Sequence, residues 1–250
     1  MTKKKVVIIT GGSRGIGAET ARLFAAKGYS VCINYLSNDE AANTLKDELS
    51  NLGSVCIAVK ADVSVADDVT QLFETVDQEL GPLSVLVNNA GILKTQSRFD
   101  AMSADRFQEL FQINVMSCVY CSQAAIKRMS TKHGGSGGAI VNVSSLASKT
   151  GSPNEYVDYA ASKGAMDTLT IGVAKEVAAE GIRVNAVRPG VIDTDIHAAG
   201  GEPDRVERVK AVIPLQRGGQ PIEVAEAIYW LATDKSSFVT GSFIDTSGGL

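Results

Sequence analysis

Two short segments lying far apart contain residue types that could perform chemistry together. Near the start, the glycine-rich turn TGGSRGIG occupies positions 10–17, and past the middle Ser145 is followed by Tyr159 and Lys163. Glycines let backbone amides approach an anion such as a pyrophosphate closely. A tyrosine hydroxyl can exchange a proton, and a neighbouring ammonium can tune it. Together the two segments predict hydride transfer between a nicotinamide and an alcohol or carbonyl.

The spacing of Tyr159 and Lys163 places both on one face of a helix, because residues four apart are neighbours there. An unperturbed tyrosine has a pKa of about 10, and a nearby cation is expected to lower that pKa by favouring the phenolate. Tyr156 has Ala160 at the equivalent position and so lacks this cation. We therefore expect Tyr156 to line the substrate cleft or to cover the loop.

The elements that must position these residues alternate regularly along the chain. Strands are predicted at 5–10, 30–35, 54–60, 84–88, 139–144, 183–188 and 242–245, and helices at 16–27, 39–52, 66–80, 104–129, 158–179 and 222–232. Most strands are nearly continuous runs of Val, Ile and Leu, as expected of strands covered on both faces. The pattern predicts a doubly wound α/β fold with a seven-stranded parallel sheet and helices on both faces.

No Pro/Ser-rich linker or internal repeat interrupts the chain, so residues 1–250 are predicted to form one domain. The one long segment without clear periodicity runs from 190 to 219, and we call it the lid segment. It follows a strand, and long irregular segments at the carboxyl end of a parallel sheet are often lids or binding loops. His197 lies in it, where it could contact substrate or simply be solvated.

Composition excludes several classes of function. The net charge of −4 gives no reason to expect nucleic acid or an anionic membrane as partner, and no apolar run approaches the length of a membrane span. A cytoplasmic protein is expected. Cys118 and Cys121 have CxxC spacing, but they lie in a continuous helical pattern without a second Cys/His pair nearby. We therefore interpret them as helix packing and expect no metal site.

With these motifs in view, the chain resembles the short-chain dehydrogenase/reductase family along essentially its whole length. The matching motifs are the glycine-rich turn, Asn-Asn-Ala-Gly at 88–91, Asn114, Ser-Ser at 144–145, Tyr-Ala-Ala-Ser-Lys at 159–163 and Arg-Pro-Gly at 188–190. The resemblance implies a Rossmann fold of strand order 3-2-1-4-5-6-7 and a homotetramer, in which the apolar stretch 238–250 would help pack subunits together. The single Trp230 is interpreted as core or subunit interface.

The resemblance also implies roles for four catalytic residues. Tyr159 would be the acid in reduction and the base in oxidation, and Lys163 would hold the nicotinamide ribose and lower the pKa of the tyrosine. Ser145 would stabilise charge on the reacting oxygen, and Asn114 would anchor a water that relays protons from Lys163. Ser144 and Ser145 alternate faces at a strand end, so only one can point at the site. The family pattern favours Ser145.

The cofactor contacts are likewise implied by the resemblance. The adenine would lie beside Asp62 and Val63, the ribose beside Asn88, Ala90 and Gly91, and the nicotinamide beside Pro189, Gly190, Ile192 and Thr194. Tyr159 and Lys163 would also contact the cofactor. The turn and the second strand would supply Gly11, Ser13, Arg14, Gly15, Ile16, Gly17, Asn34 and Ser37.

The second strand distinguishes NADP from NAD, because a carboxylate at its end would bind a ribose 2′-hydroxyl and repel a 2′-phosphate. Here the strand ends Ile-Asn-Tyr-Leu at 33–36 without an acid, and Arg14 in the turn can pair with a phosphate. The sequence therefore favours NADP, with NAD as the alternative. Leu36 occupies a place where many NADP-dependent relatives carry a second arginine.

The sequence bounds the reaction better than the substrate. The partner is expected to be a small carbonyl or alcohol compound, and similar relatives include sugar dehydrogenases and 3-oxoacyl-carrier-protein reductases. A second interpretation is a non-catalytic nicotinamide-nucleotide sensor or scaffold. The intact Ser145, Tyr159, Lys163 and Asn114 argue against it, since a sensor needs only the cofactor half.

Overall fold

A computed structural model describes residues 4–250. It contains one seven-stranded, fully parallel sheet of order β3-β2-β1-β4-β5-β6-β7. The strands are β1 (Val6–Ile9), β2 (Ser30–Tyr35), β3 (Cys56–Lys60), β4 (Leu83–Asn88), β5 (Gly138–Val143), β6 (Ile182–Pro189) and β7 (Phe243–Thr246). The predicted fold class and strand order are confirmed.

Ten α-helices connect or flank these strands. They are α1 (Gly15–Ala26), α2 (Asp39–Asn51), α3 (Ala66–Glu79), α4 (Ala104–Phe111), α5 (Ser117–Met129), α6 (Ala147–Thr150), α7 (Val157–Val177), α8 (Ile196–Ala199), α9 (Arg205–Val209) and α10 (Pro221–Ala232). A π-helical turn, Gln112–Met116, joins α4 to α5, and short 3₁₀ turns lie at Phe99–Ala101, Thr131–His133, Ala178–Glu180, Lys210–Val212 and Asp234–Ser236. Among the described residues, no helix is both long and apolar enough to cross a membrane.

The sheet is covered on both faces, which explains its nearly continuous apolar strands. In β1, Val7 and Ile9 face a core formed with α1, α2 and α10, whereas Val6 and Ile8 face a second core formed with α3, α5 and α7. Side chains of a strand point alternately to opposite faces, so a strand buried on both sides has no face exposed to solvent and is mostly apolar.

The register aligns the carboxyl ends of the central strands. Ile9 at the end of β1 pairs with Ile33 of β2 and with Val87 of β4. The order of the strands switches between β1 and β4: β2 and β3 are added on one side of β1, and β4 to β7 follow on the other side. A crevice opens outside the strand ends where the order switches, and ligands of such sheets bind there.

Two predicted segments differ in detail. The predicted helix 104–129 is interrupted by the π-helical turn, which periodicity alone does not signal. The lid segment is less irregular than expected, because it contains α8, α9 and a 3₁₀ turn. These helices have only four or five residues, too few to show a 3.6-residue period in the sequence.

Candidate active site

The glycine-rich turn joins β1 to α1 with little free space. A Cβ at Gly17 would lie 2.5 Å from the Gly11 carbonyl oxygen and 2.7 Å from Nδ2 of Asn89. Gly11 itself has φ +59°, a left-handed conformation that favours glycine. Gly17 therefore serves the packing of α1 against the turn, and it does not line the cavity beside the turn.

Two amide side chains hold the turn in place. Asn89 Nδ2 donates to the carbonyl oxygens of Thr10 and Gly11, each at 2.9 Å. Asn34 Oδ1 accepts from the Gly11 N–H at 3.3 Å, while Asn34 Nδ2 donates to the Ala61 carbonyl at 3.0 Å. These bonds tie the turn to the ends of β2, β3 and β4, so the turn geometry is set by three neighbouring strands.

The N-terminus of α1 is built to accept an anion. No side chain caps this helix, and its first turn contains no acidic residue. The first amides of a helix have no intrahelical acceptor and carry the positive end of the helix dipole. Gly15 and Ile16 line the adjacent cavity, so an anionic group there would meet those amides.

The cavity outside the turn has a volume of about 390 Å³. Most of the predicted cofactor residues line it: Gly11, Ser13, Arg14, Gly15, Ile16, Asn34, Ser37, Asp62, Val63, Ala90, Gly91 and Thr194. Asn88 does not. Its side chain points into the core, where Nδ2 donates to Asn142 Oδ1 at 2.8 Å and to Ser122 Oγ at 3.0 Å. Asn88 therefore braces β4 against β5 and α5 rather than forming a cavity wall.

The charges around this cavity agree with the sequence argument about the cofactor phosphate. Arg14 is exposed, lines the cavity and forms no ion pair within residues 4–250. Asp39 follows β2 but is held elsewhere, by the Tyr35 hydroxyl at 2.9 Å and by Lys60 at 3.1 Å. Asp62 accepts from the backbone and hydroxyl of Ser64. A free cation thus faces the cavity, and no carboxylate closes the end of β2.

The structure separates the two serines after β5. Ser144 is buried, and its hydroxyl donates to the Lys163 carbonyl at 3.3 Å. Ser145 is partly exposed, its Oγ accepts from the Ala147 N–H at 3.1 Å, and its hydroxyl opposes the rise in the pKa of Tyr159 that burial causes. Ser145 is therefore the serine whose hydroxyl lies beside the predicted acid/base.

Tyr159 and Lys163 lie one turn apart on α7, with Lys163 Nζ 5.6 Å from the tyrosine ring centroid. Nζ donates to the Val143 carbonyl at 2.8 Å. The expected lowering of the tyrosine pKa does not appear: burial raises the pKa of Tyr159 to about 12, more than Ser145 opposes it. Burial likewise lowers the pKa of Lys163 to about 8, because both charged forms lose solvation.

Asn114 lies in the π-helical turn and is fully buried. Its Oδ1 accepts from the Ile92 N–H at 2.8 Å, and its Nδ2 donates to the Ile92 carbonyl at 3.2 Å and to Ser162 Oγ at 3.1 Å. Ser162 in turn donates to the Tyr159 carbonyl at 2.7 Å. Asn114 thus connects the turn to α7 from behind the site and does not line either cavity described here.

A second cavity, of about 280 Å³, lies over the carboxyl ends of β5 and β6. It is lined by Ser145, Tyr159 and Lys163 and by the predicted nicotinamide contacts Pro189, Gly190, Ile192 and Thr194. The two cavities share Ile16, Asn89, Gly91, Thr194 and Ile196, so they form one cleft. A dinucleotide entering from the glycine-rich turn would bring its distal ring to the Ser/Tyr/Lys group.

The lid segment closes one side of the second cavity. His197 and Arg205 of this segment line the cavity together with Tyr156, which precedes α7. Tyr156 thus lies in the cleft, as expected. His197 is buried rather than solvated, and its Nε2 lies 2.9 Å from the Ile192 carbonyl oxygen. The segment is anchored beside the sheet by paired backbone bonds between Val191, Asp193 and Gly219.

Sequence reasoning missed the structural role of Asn89 and Ser162. Both lie inside the matching motifs, next to residues with a predicted functional role. The sequence does not show that the Asn89 side chain contacts the glycine-rich turn or that the Ser162 side chain links Asn114 to α7. Among the described residues, no group of His, Cys, Asp or Glu has the arrangement of a metal site. Cys118 and Cys121 are buried free thiols whose pKa values are raised by burial, in agreement with the packing interpretation.

Comparison with known proteins agrees with this geometry. A family model described as enoyl-(acyl carrier protein) reductase matches residues 11–250. The uncharacterized oxidoreductase YgfF of Escherichia coli is 55% identical over 98% of this chain and 99% of that protein. The 3-oxoacyl-[acyl-carrier-protein] reductase FabG of Staphylococcus aureus is 35% identical over 100% and 99%. The 3beta-hydroxysteroid dehydrogenase 1 of Eggerthella lenta is 36% identical over 99% and 94%.

A solved structure is similar over nearly the whole chain. It is a blue fluorescent protein from a metagenomic library in complex with NADPH, with a TM-score of 0.89, 34% identity and coverage of 98% of this chain and 97% of that one. This chain, which has the fold, the glycine-rich turn and the Ser/Tyr/Lys group described above, is therefore similar to oxidoreductases over nearly its whole length. The protein belongs to the short-chain dehydrogenase/reductase family of oxidoreductases.

Proposed function

We propose that this protein is an NADP(H)-dependent carbonyl reductase and alcohol dehydrogenase acting on a small substrate. The observation that carries the proposal is the convergence of Ser145, Tyr159 and Lys163 on the wall of one cavity that opens into the cavity of the glycine-rich turn. A sensor or scaffold would need only the cavity of the glycine-rich turn, so the convergence favours an enzyme.

In the reductive direction, Tyr159 donates its proton to the substrate carbonyl oxygen. A bound nicotinamide would supply the hydride that the carbonyl carbon accepts, so the product is an alcohol. Ser145 donates a hydrogen bond to the oxygen as negative charge develops on it. The raised pKa of Tyr159, about 12, keeps this residue protonated and therefore suits an acid at neutral pH.

Lys163 and Asn114 are proposed to support this proton transfer. The Lys163 ammonium stabilises the phenolate that forms when Tyr159 gives up its proton, and it would also hold the nicotinamide ribose. Asn114 is proposed to position the polar groups behind Tyr159, through Ser162. Its proposed role as the anchor of a proton-relaying water follows from the family resemblance.

NADP is proposed as the cofactor in preference to NAD. Arg14 offers an unpaired guanidinium beside the cavity, and an Arg can bind a phosphate through two parallel hydrogen bonds. The similar structure named above contains NADPH. Ser37, on the same wall, would contribute a hydroxyl to the phosphate.

The substrate is proposed to be a compact carbonyl or alcohol compound. Names of relatives point to 3-oxoacyl thioesters and to 3β-hydroxysteroids, which share a carbonyl or hydroxyl on a secondary carbon. We further propose a cytoplasmic homotetramer, without nucleic-acid or membrane partners. Four free cysteines fit a reducing compartment.

The test is NADPH oxidation, followed by absorbance, against a panel of sugars, 3-oxoacyl thioesters, ketones and diketones, with NADH in parallel. We expect turnover in the native protein and a loss of about 10²- to 10⁴-fold in kcat in Tyr159→Phe, which keeps the ring but not the acid. NADPH affinity of the variant, measured by fluorescence, controls for folding. Undiminished turnover in Tyr159→Phe, or tight NADPH binding without turnover of any compound, would contradict the proposal.

A further inference from the structure

His197 is the feature of the substrate cavity that the proposed reaction does not use. It lies in α8 of the lid segment, is only 8% exposed and lines the cavity that contains Tyr159. Its Nδ1 is buried and has no hydrogen-bond partner among the described residues. A buried polar atom without a partner costs free energy, so it usually marks a ligand or water position.

The ring's other nitrogen determines what Nδ1 can do. Nε2 lies 2.9 Å from the Ile192 carbonyl oxygen, which can only accept, so Nε2 carries the proton and donates. Burial lowers the pKa of His197, which favours the neutral ring. In the neutral ring with a proton on Nε2, Nδ1 is an acceptor. The group that complements it must therefore be an O–H or N–H donor.

The charges nearby favour a neutral ligand. Arg205 reaches the cavity with its guanidinium over the Tyr156 ring, 5.0 Å from the centroid. It is already neutralised by Glu202 at 2.7 Å and Glu155 at 2.6 Å. Arg208 pairs with the same two carboxylates. Both arginines are thus already paired, and neither is free to bind a substrate carboxylate.

The remaining wall is largely apolar, with Leu93, Leu146, Val191, Ile196 and Leu250 among its residues. A buried acceptor in such a wall fixes orientation more than it adds affinity.

We propose that His197 is a specificity-determining residue, whose Nδ1 accepts a hydrogen bond from a hydroxyl or N–H group of a neutral carbonyl substrate, remote from the carbonyl that Tyr159 protonates. This inference rests on the proposed function and narrows its substrate class. A site made to bind a hydroxyl discriminates strongly against the analogue that lacks it, because its own polar group is then left unpaired.

The experiment compares cyclohexanone with its hydroxylated ring isomers as substrates with NADPH. We expect at least one isomer to exceed cyclohexanone in kcat/KM by about tenfold or more, the effect of one buried hydrogen bond. In His197→Gln the amide nitrogen can still donate to the Ile192 carbonyl, but the Nδ1 acceptor is gone, so this preference is expected to fall about tenfold. An equal preference in His197→Gln, or none in the native protein, would overturn the inference.

A second readout separates this inference from the proposed function. The chain has two histidines, so ¹⁵N-histidine labelling, with His133→Gln for assignment, resolves the Nδ1 resonance of His197. With NADPH present, the preferred hydroxylated ketone should shift that resonance upfield and cyclohexanone should not. A shift without turnover of this ketone or of any compound in the panel above would support the His197 site while contradicting the reaction. Turnover without a preference for the hydroxylated ketone and without a shift would support the reaction and contradict the His197 site. If neither turnover nor a shift is found with any compound, both proposals are wrong.

Discussion

At the scale of single residues, burial changes the pKa values of Tyr159 and Lys163, and these values determine which of the two carries a proton at a given pH. A neutral tyrosine with a raised pKa is a suitable acid for carbonyl reduction but a poor base for alcohol oxidation. Lys163 is the group of the Ser/Tyr/Lys set whose charge changes near neutral pH, since burial lowers its pKa to about 8. We therefore expect the rate of carbonyl reduction to depend on pH through the charge of Lys163, while Tyr159 remains a proton donor.

We expect kcat/KM for carbonyl reduction to be constant below about pH 7 and to fall above about pH 8, as Lys163 loses its proton. The sign follows from the lysine: its charged form stabilises the phenolate and is lost as pH rises through its pKa, while Tyr159 stays protonated. A pH–rate profile measures this.

Lys163→Arg is the matched variant for that profile, because arginine keeps its charge across this range. It should be slower overall but should lose the fall above about pH 8. The same alkaline fall in Lys163→Arg would show that another group titrates.

Arg14 is expected to discriminate between the two nicotinamide cofactors. Its guanidinium is exposed beside the cavity, so a hydrogen-bonded phosphate would be bound by a charge-assisted contact worth roughly 1.5–3 kcal/mol. Arg14→Ala should raise the Kd for NADPH by about 10- to 100-fold. The Kd for NADH, which lacks the phosphate, is the internal control. A similar weakening for both cofactors would contradict the assignment.

At the scale of elements, the contact between the glycine-rich turn and α1 is the least tolerant part of the site. The N-terminus of α1 can approach a pyrophosphate only because Gly17 lets the helix pack against the Gly11 carbonyl. The position of the helix amides relative to the turn thus requires a residue without a Cβ at position 17, although Gly17 itself does not line the cavity.

Gly17→Ala should destabilise the protein by about 1–3 kcal/mol and weaken NADPH binding, because the added methyl group overlaps the Gly11 oxygen. Gly172→Ala is the matched control. It lies within α7, a Cβ there meets nothing within 4 Å, and alanine should stabilise the helix by about 0.5–1 kcal/mol. Urea unfolding and fluorescence titration measure both quantities. Equal effects of the two substitutions would show that packing at Gly17 is unimportant.

At the scale of the whole molecule, apolar side chains near the C-terminus remain uncovered. Phe238 is fully exposed, and Trp230 is 38% exposed, which excludes a core position within one chain. We propose the other alternative of the sequence interpretation, a subunit interface, for these residues. A second chain covering these residues would bury apolar surface that a single chain leaves in water.

We expect light scattering to give a mass near four times the 26.2 kDa of one chain. Phe238→Glu should shift the distribution toward smaller species, because a carboxylate is costly to bury in an apolar contact. Glu40→Gln, a change at an exposed position of α2 rather than α10, should leave the mass unaltered. A monomeric native protein would contradict the proposed tetramer.

Sequence alone determined the fold class, the strand order through the family resemblance, and the segments that carry chemistry. Continuous apolar strands and amphipathic helices are local patterns, and motifs such as Tyr159 and Lys163 are defined by spacing on one helix. The lid segment is placed at the carboxyl end of a strand because it follows the predicted strand 183–188 directly.

Only the tertiary structure decided where side chains of neighbouring residues point and how buried they are. Ser145 rather than Ser144 lies beside Tyr159, Asn88 turns into the core, and His197 is enclosed by the lid segment. The pKa of Tyr159 was predicted to fall and instead rises to about 12. Desolvation depends on every atom packed around a group, and those atoms come from strands and helices distant in sequence.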